Sequence, residues 1–129
     1  MVMWEGRNGV TKMGLDFSHG EAHWAYSSFN RFRERLAQIA GFNLRDMQGF
    51  TDPPVIGKDW DNITDPIKDL LNHSDCDGEL TPTQCVTIIP RLGKMIKGWE
   101  DDDYDKQNAS NLINGMKEAI KEQENLEFR

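Results

Sequence analysis

The sequence predicts a small all-α protein, an irregular helical bundle with a helix–loop–helix in the middle, and three observations carry that expectation. Apolar residues recur at spacings of three and four along residues 22–39, 85–99 and 109–120. Ser18-His19-Gly20-Glu21 and Thr81-Pro82-Thr83-Gln84 both match the reciprocal capping box that opens helices. No stretch alternates apolar and polar residues long enough to announce a strand, and no segment repeats. A chain of 129 residues has room for one domain with its own apolar core. Residues 13–129 are expected to form it, with residues 1–12 as a flexible leader, since that stretch has no period and a lone Trp4.

The first helix is expected to start at Ser18, bury Ala22, Ala25, Phe29, Phe32, Leu36 and Ile39, and end at Gly41 in a left-handed cap. Arg31, Arg33 and Arg35 fall off that stripe and read as a solvated face. Asn43 can start one further turn, after which Thr51-Asp52-Pro53-Pro54 turns residues 51–63 into a loop. Thr64 or Asp65 caps a short second helix with Pro66 in its first turn and Ile67, Leu70 and Leu71 inward. Thr81 and Gln84 open the third helix, whose stripe is Cys85, Ile88, Ile89, Leu92, Ile96 and Trp99 and which Pro90 should bend. Ala109, Leu112, Ile113, Met116 and Ile120 mark the last helix, with Leu126 and Phe128 folding back onto the core.

Charge narrows the function. The 22 acidic residues outnumber the 15 basic ones for a net charge of −7. Nine of the acidic and four of the basic residues fall at positions 100–129, so five of the seven net negative charges sit there. That balance disfavours nucleic acid, whose binders concentrate positive charge. The run Glu100, Asp101, Asp102, Asp103 and Asp105 instead suits electrostatic steering onto a basic protein surface. No stretch approaches the length of a membrane span and no secretory signal is evident, so the expected compartment is the cytoplasm, where Cys76 and Cys85 stay reduced.

One polar constellation points to metal chemistry. With Gly78 at the sharp-turn position of an EF-hand loop, Asp75, Asp77 and Glu79 fall on ligand positions, but His73 and Gln84 stand where the first aspartate and the closing glutamate belong. The alternative reading is an ordinary capped turn with Gln84 as the box partner. A softer set uses His19 and His23, four residues apart, with His73, Asp75 and Cys76, which suits a zinc-like ion. Calcium and zinc are therefore the two cofactor expectations, with Asp16 or Glu21 as bases should an open metal site activate water. The Cys and His content also permits a Cys76 nucleophile paired with His73 or His23, though their spacing in a turn does not establish the required geometry.

Met13-Gly14-Leu15-Asp16-Phe17-Ser18-His19, the run Ala22 to Tyr26 and Asn72-His73-Ser74-Asp75-Cys76-Asp77-Gly78-Glu79-Leu80 together resemble a family of small uncharacterised bacteriophage and bacterial proteins. The likeness covers most of residues 13–128. It implies a phage or prophage setting and one shared site containing His19, His23, His73, Asp75, Cys76 and Asp77. The function expected first is a small acidic binding or inhibitory protein that docks on a host or phage protein. A metal-binding protein with a hydrolytic role and a structural component of a phage particle are the alternatives.

Overall fold

The computed structural model describes residues 14–73 and 78–129. The leader expected at 1–12, with Met13, and the loop residues Ser74, Asp75, Cys76 and Asp77 lie outside the described residues. The architecture is mixed rather than all-α: among the described residues four helices are accompanied by two antiparallel two-stranded sheets. In order these are β1 (Gly14–Asp16), β2 (His23–Ala25), α1 (Tyr26–Ala40), α2 (Lys68–Leu71), β3 (Gly78–Leu80), α3 (Pro82–Ile96), α4 (Tyr104–Glu122) and β4 (Leu126–Phe128).

The first correction is at Ser18. The expected capping box is a hairpin turn, and α1 begins at Tyr26, behind Ala25, which makes no side-chain cap bond. Ser18 is drawn away from a helical role by the C-terminal strand: its N–H donates to the Glu127 carbonyl at 2.9 Å and its Oγ accepts from the Glu127 N–H at 2.8 Å. Gly20 takes φ +78°, a left-handed conformation that reverses the chain. β2 then pairs with β1, Leu15 opposite Trp24 and Asp16 opposite His23. Trp24 is buried while its neighbours His23 and Ala25 face outward, so Ala25 leaves the expected apolar stripe.

α1 keeps Phe29, Phe32 and Leu36 of that stripe, all inaccessible, and closes on Gly41 at φ +94° as expected. Ile39 is 44% exposed, so it is not part of the core. Arg33 also departs from the solvated face, being only 2% exposed. Its guanidinium lies 4.9 Å from the ring centres of both Phe29 and Phe50, while Nη1 donates to the His73 carbonyl. Arg35 stacks 3.6 Å over Trp99 and donates to Asp103 and Asp105.

The region expected as a loop is pinned by backbone. Ahead of it Asn43 caps the further turn as expected, a short 3₁₀ turn Leu44–Asp46, and within the expected loop a second such turn spans Trp60–Asn62. The Trp60 indole donates to the Gln48 carbonyl at 2.9 Å. α2 is a single turn whose cap position is Ile67 rather than Thr64 or Asp65; Asp65, ahead of it, accepts from the Ile67 amide and holds Arg91 of α3 through a fork at 2.7–3.1 Å. The Thr81–Gln84 capping box is present at the start of α3, and the helix runs through Pro90. Beyond the undescribed loop residues 74–77, the one-turn α2 is followed by β3, which pairs with β4: Gly78 opposite Phe128, Glu79 opposite Glu127, Leu80 opposite Leu126.

β4 joins the two sheets. Besides its ladder with β3, Phe128 bridges Phe17, flanked by bonds from Ser18 N–H to the Glu127 carbonyl and from Arg129 N–H to the Asp16 carbonyl. The strands therefore run in the order β2, β1, β4, β3 around the bridge. Their inner face carries Leu15, Phe17, Trp24, Leu80, Leu126 and Phe128 onto α1 and the packed pair α3–α4. Phe128 meets Phe17 edge-on at 5.0 Å, and Trp24 stacks on Phe32 at 4.6 Å. The buried indole N–H of Trp24 is satisfied by Asp105 at 2.9 Å.

The hairpin turn is seated on α4 at a glycine. A Cβ added to Gly115 would lie 2.4 Å from the His19 carbonyl oxygen, so only glycine lets the backbones meet. Gly115→Ala is expected to cost about 1–3 kcal/mol in urea unfolding, the usual range for overpacking. Gly93→Ala, in α3, is the control: the new Cβ meets only the Ile113 Cδ1 at 4.0 Å, so the helix gains stability or stays level. Equal responses at the two positions would contradict this seating.

Candidate functional site

Gly115 places the hairpin turn over the C-terminal end of α4, and the way α4 ends completes a cluster there. Gln123 takes φ 57°, ψ 43°, its N–H donates to the Ala119 and Ile120 carbonyls, and the Glu124 N–H returns to Ala119 at 3.0 Å. This is a Schellman ending, normally built on glycine. It turns the chain so that Glu122, before the reversal, and Glu124, after it, meet at one point. His19 lies between them, only 8% exposed. Its Nε2 is 2.8 Å from Glu124 Oε1 and 3.2 Å from Glu122 Oε1. Its Nδ1 is 2.7 Å from Ser18 Oγ.

One ligand atom from each of His19, Glu122 and Glu124 lies within 4.8 Å of the others. Facing two carboxylates, which only accept, Nε2 carries a proton, and Nδ1 shares a hydrogen bond with the Ser18 hydroxyl. A cation between the three groups would replace the Nε2 proton, and Nδ1–H would then donate to Ser18 Oγ. Ser18 is itself positioned by the Glu127 amide, so the imidazole is oriented from behind as metal-binding histidines are. The bond from His19, with Glu122 next, holds the Glu124 carboxyl below the usual carboxylate range. The cluster opens on a cavity of about 530 Å³ lined also by Glu118, Asn125, Glu127 and Arg129.

The other described residues expected at a metal site are dispersed. His23 is on the exposed strand β2, its Nδ1 2.7 Å from Asp16 Oδ1, and belongs to a separate His–Asp pair. Asp16 is therefore beside His23, not His19, and Glu21 is an exposed turn residue. Glu79 faces outward from β3 and accepts from the Asn125 amide at 3.1 Å. Gln84 Oε1 accepts from the Thr81 amide and Thr81 Oγ1 from the Gln84 amide, so both are spent on capping. Asp75, Cys76 and Asp77 lie outside the described residues. Cys85 is inaccessible, and burial pushes its thiol up to about 11, which removes it as a nucleophile.

His73 is half-buried, packed against the Phe128 ring at 4.8 Å and under Gly78, where a Cβ would meet its Nδ1 at 2.7 Å. Gly78 adopts φ +145°, so both conformation and space call for glycine there. Of the acidic run, Asp103 caps α4 and pairs with Arg35, Asp105 pairs with Arg35 and Trp24, and Asp101 holds Lys106 at 2.9 Å. Glu100 and Asp102 are exposed. Among the described residues no helix is long and apolar enough to cross a membrane. Comparisons with protein-family models, with curated proteins and with solved structures return no match.

His73 gives the stability a pH dependence of its own. Burial pushes its imidazole below the ordinary value of 6.5, the bond to the Asp69 backbone opposes this, and the Arg33 guanidinium adds to it. The folded protein thus favours neutral His73, and its contribution is complete above pH 6.5. As the pH falls below that value the unfolded chain takes the proton first and stability declines. Urea midpoints are expected to drop between about pH 7 and pH 5, and the drop should shrink in His73→Gln. An unchanged drop in that variant would assign it to other groups.

Proposed function

We propose that this chain is a metal-binding protein whose site, His19, Glu122 and Glu124, takes a divalent ion of the zinc class. The observation that carries the reading is the meeting of a buried imidazole nitrogen and two carboxylate oxygens, from chain segments a hundred residues apart, within 4.8 Å. One nitrogen and two oxygens suit borderline ions such as Zn²⁺, Co²⁺ or Mn²⁺ better than Ca²⁺, which prefers an all-oxygen shell. Three protein ligands leave positions free for water or a ligand from the open cavity, the arrangement zinc uses when it activates water. The surrounding Glu118 and Glu127 favour the cation and disfavour anionic ligands.

Titration with Zn²⁺ by calorimetry, and with Co²⁺ followed by its visible absorption, is expected to give one site per chain. His19→Ala and Glu124→Gln should each weaken binding at least tenfold, while His23→Ala leaves it unchanged. Binding that survives His19→Ala, or no binding at all, would overturn the assignment.

A second reading, contact with a host or phage protein, is supported by one observation outside the acidic run. Val55 and Ile56 are 64% and 89% exposed at the tip of a loop held at its base by the Lys58–Asp46 and Gln48–Lys58 backbone bonds. Apolar side chains presented on a rigid loop lose little entropy on docking. Capture of a partner from bacterial extract that depends on Val55 and Ile56, and fails in the Val55→Ser, Ile56→Ser double variant, is the outcome this reading expects; retention by the double variant would contradict it.

A further inference from the structure

The position of the cluster relative to β4 carries an inference that rests on the metal reading and goes beyond it. We infer that the ion acts as a clip on the C-terminal strand, so that metal occupancy controls how often β4 leaves its slot between β1 and β3. β4 is three residues long, and its polar attachments are one short ladder, one bridge, the Glu127 N–H bond to the Ser18 hydroxyl and the Asn125 amide bond to Glu79 at its root. On its outer face Glu127 stands directly opposite Glu79, a like-charge pair that weakens the ladder. The nearest cation to Glu127 is Arg129 at 3.6 Å, on the same strand, which ties nothing across the slot. Against this, Leu126 and Phe128 are buried, so opening exposes them together with Phe17, Leu80 and the ring of His73.

The metal ligands sit at the root of that strand. Glu124 is two residues ahead of β4, and Ser18, whose hydroxyl orients His19, accepts the Glu127 N–H of the strand itself. When β4 swings out, the Ser18–Glu127 bonds break and the support that orients the His19 ring from behind is lost, so His19 no longer faces Glu122 and Glu124. The ion therefore binds the closed form alone, and the closed-to-open ratio rises by the factor one plus free metal over Kd. The clip also draws together Glu122 and Glu124, whose charges otherwise repel at the same elbow.

Amide hydrogen exchange with and without Zn²⁺ tests this. At free Zn²⁺ about a hundred times the measured Kd, the amides of Ser18, Glu127 and Arg129 are expected to slow by up to about a hundredfold. The Gln48 and Lys58 amides, bonded to each other's segment far from the site, should not change. The slowing should vanish in Glu124→Gln and persist in Glu118→Gln. Calorimetric binding with unchanged exchange at Ser18, Glu127 and Arg129, or equal slowing at Gln48 and Lys58, would overturn the clip and leave the metal site standing. No calorimetric binding would remove both.

Discussion

Phe128 is wedged between Phe17 and the imidazole of His73, and the three-residue strand that carries it is bonded along both edges. An isolated strand of that length has no stability of its own, because ordering its backbone costs more than its few hydrogen bonds return. Both hairpin partners are equally short. What holds β1, β2 and β3 in place is that β4 lies between them and presses Leu126 and Phe128 into the aromatic cluster of Phe17, Trp24, Phe29 and Phe32. The β1–β2 hairpin and the C-terminal strand are thereby tied together, and everything that depends on their approach follows from it: the turn at Ser18, the seating of His19 on Gly115, and the facing of His19 with the end of α4.

The same arrangement explains how an acidic chain buries cations without conflict. Arg33 enters the core because two aromatic faces and the carbonyl at His73 receive it, and burial of its stem covers Phe29 and Phe50. Arg35 draws Asp103 and Asp105 onto Trp99, and Asp105 in turn accepts the Trp24 indole. The acidic run after Trp99 thus has an architectural task at Asp103 and Asp105, with Glu100 and Asp102 left to the solvent. By contrast, the carboxylates around His19 have few cations to answer them. Glu122 and Glu124 share one imidazole, which is an unfavourable accumulation of charge for a purely structural corner and a natural one for a cation site.

Much of this was legible in the residues. Phe29, Phe32 and Leu36 of α1, Cys85, Ile88, Leu92 and Ile96 of α3, Ala109, Leu112 and Met116 of α4, the Gly41 ending and the Thr81–Gln84 box follow local rules that tertiary structure did not override. The strands were not legible, since three residues cannot display an alternation and their pairing is dictated by partners up to a hundred residues away. Ser18–Glu21 satisfied the capping pattern by composition, yet the Glu127 backbone competed for Ser18 and won, and Gly20 was the signal of a turn. His19 was recognisable as a candidate ligand, but its companions were not. Glu122 and Glu124 read as ordinary surface carboxylates because the left-handed residue between them is Gln123, which does not announce such a turn as glycine would.

The insertion of β4 can be observed at one pair of protons. Phe17 and Phe128 form a non-hydrogen-bonded antiparallel pair, in which the two Hα atoms point at each other. A strong Hα–Hα cross-peak between these residues in a nuclear Overhauser spectrum is the expected result. Its absence, with Leu126–Phe128 at random-coil shifts while α3 and α4 stay folded, would contradict the central place given to this strand.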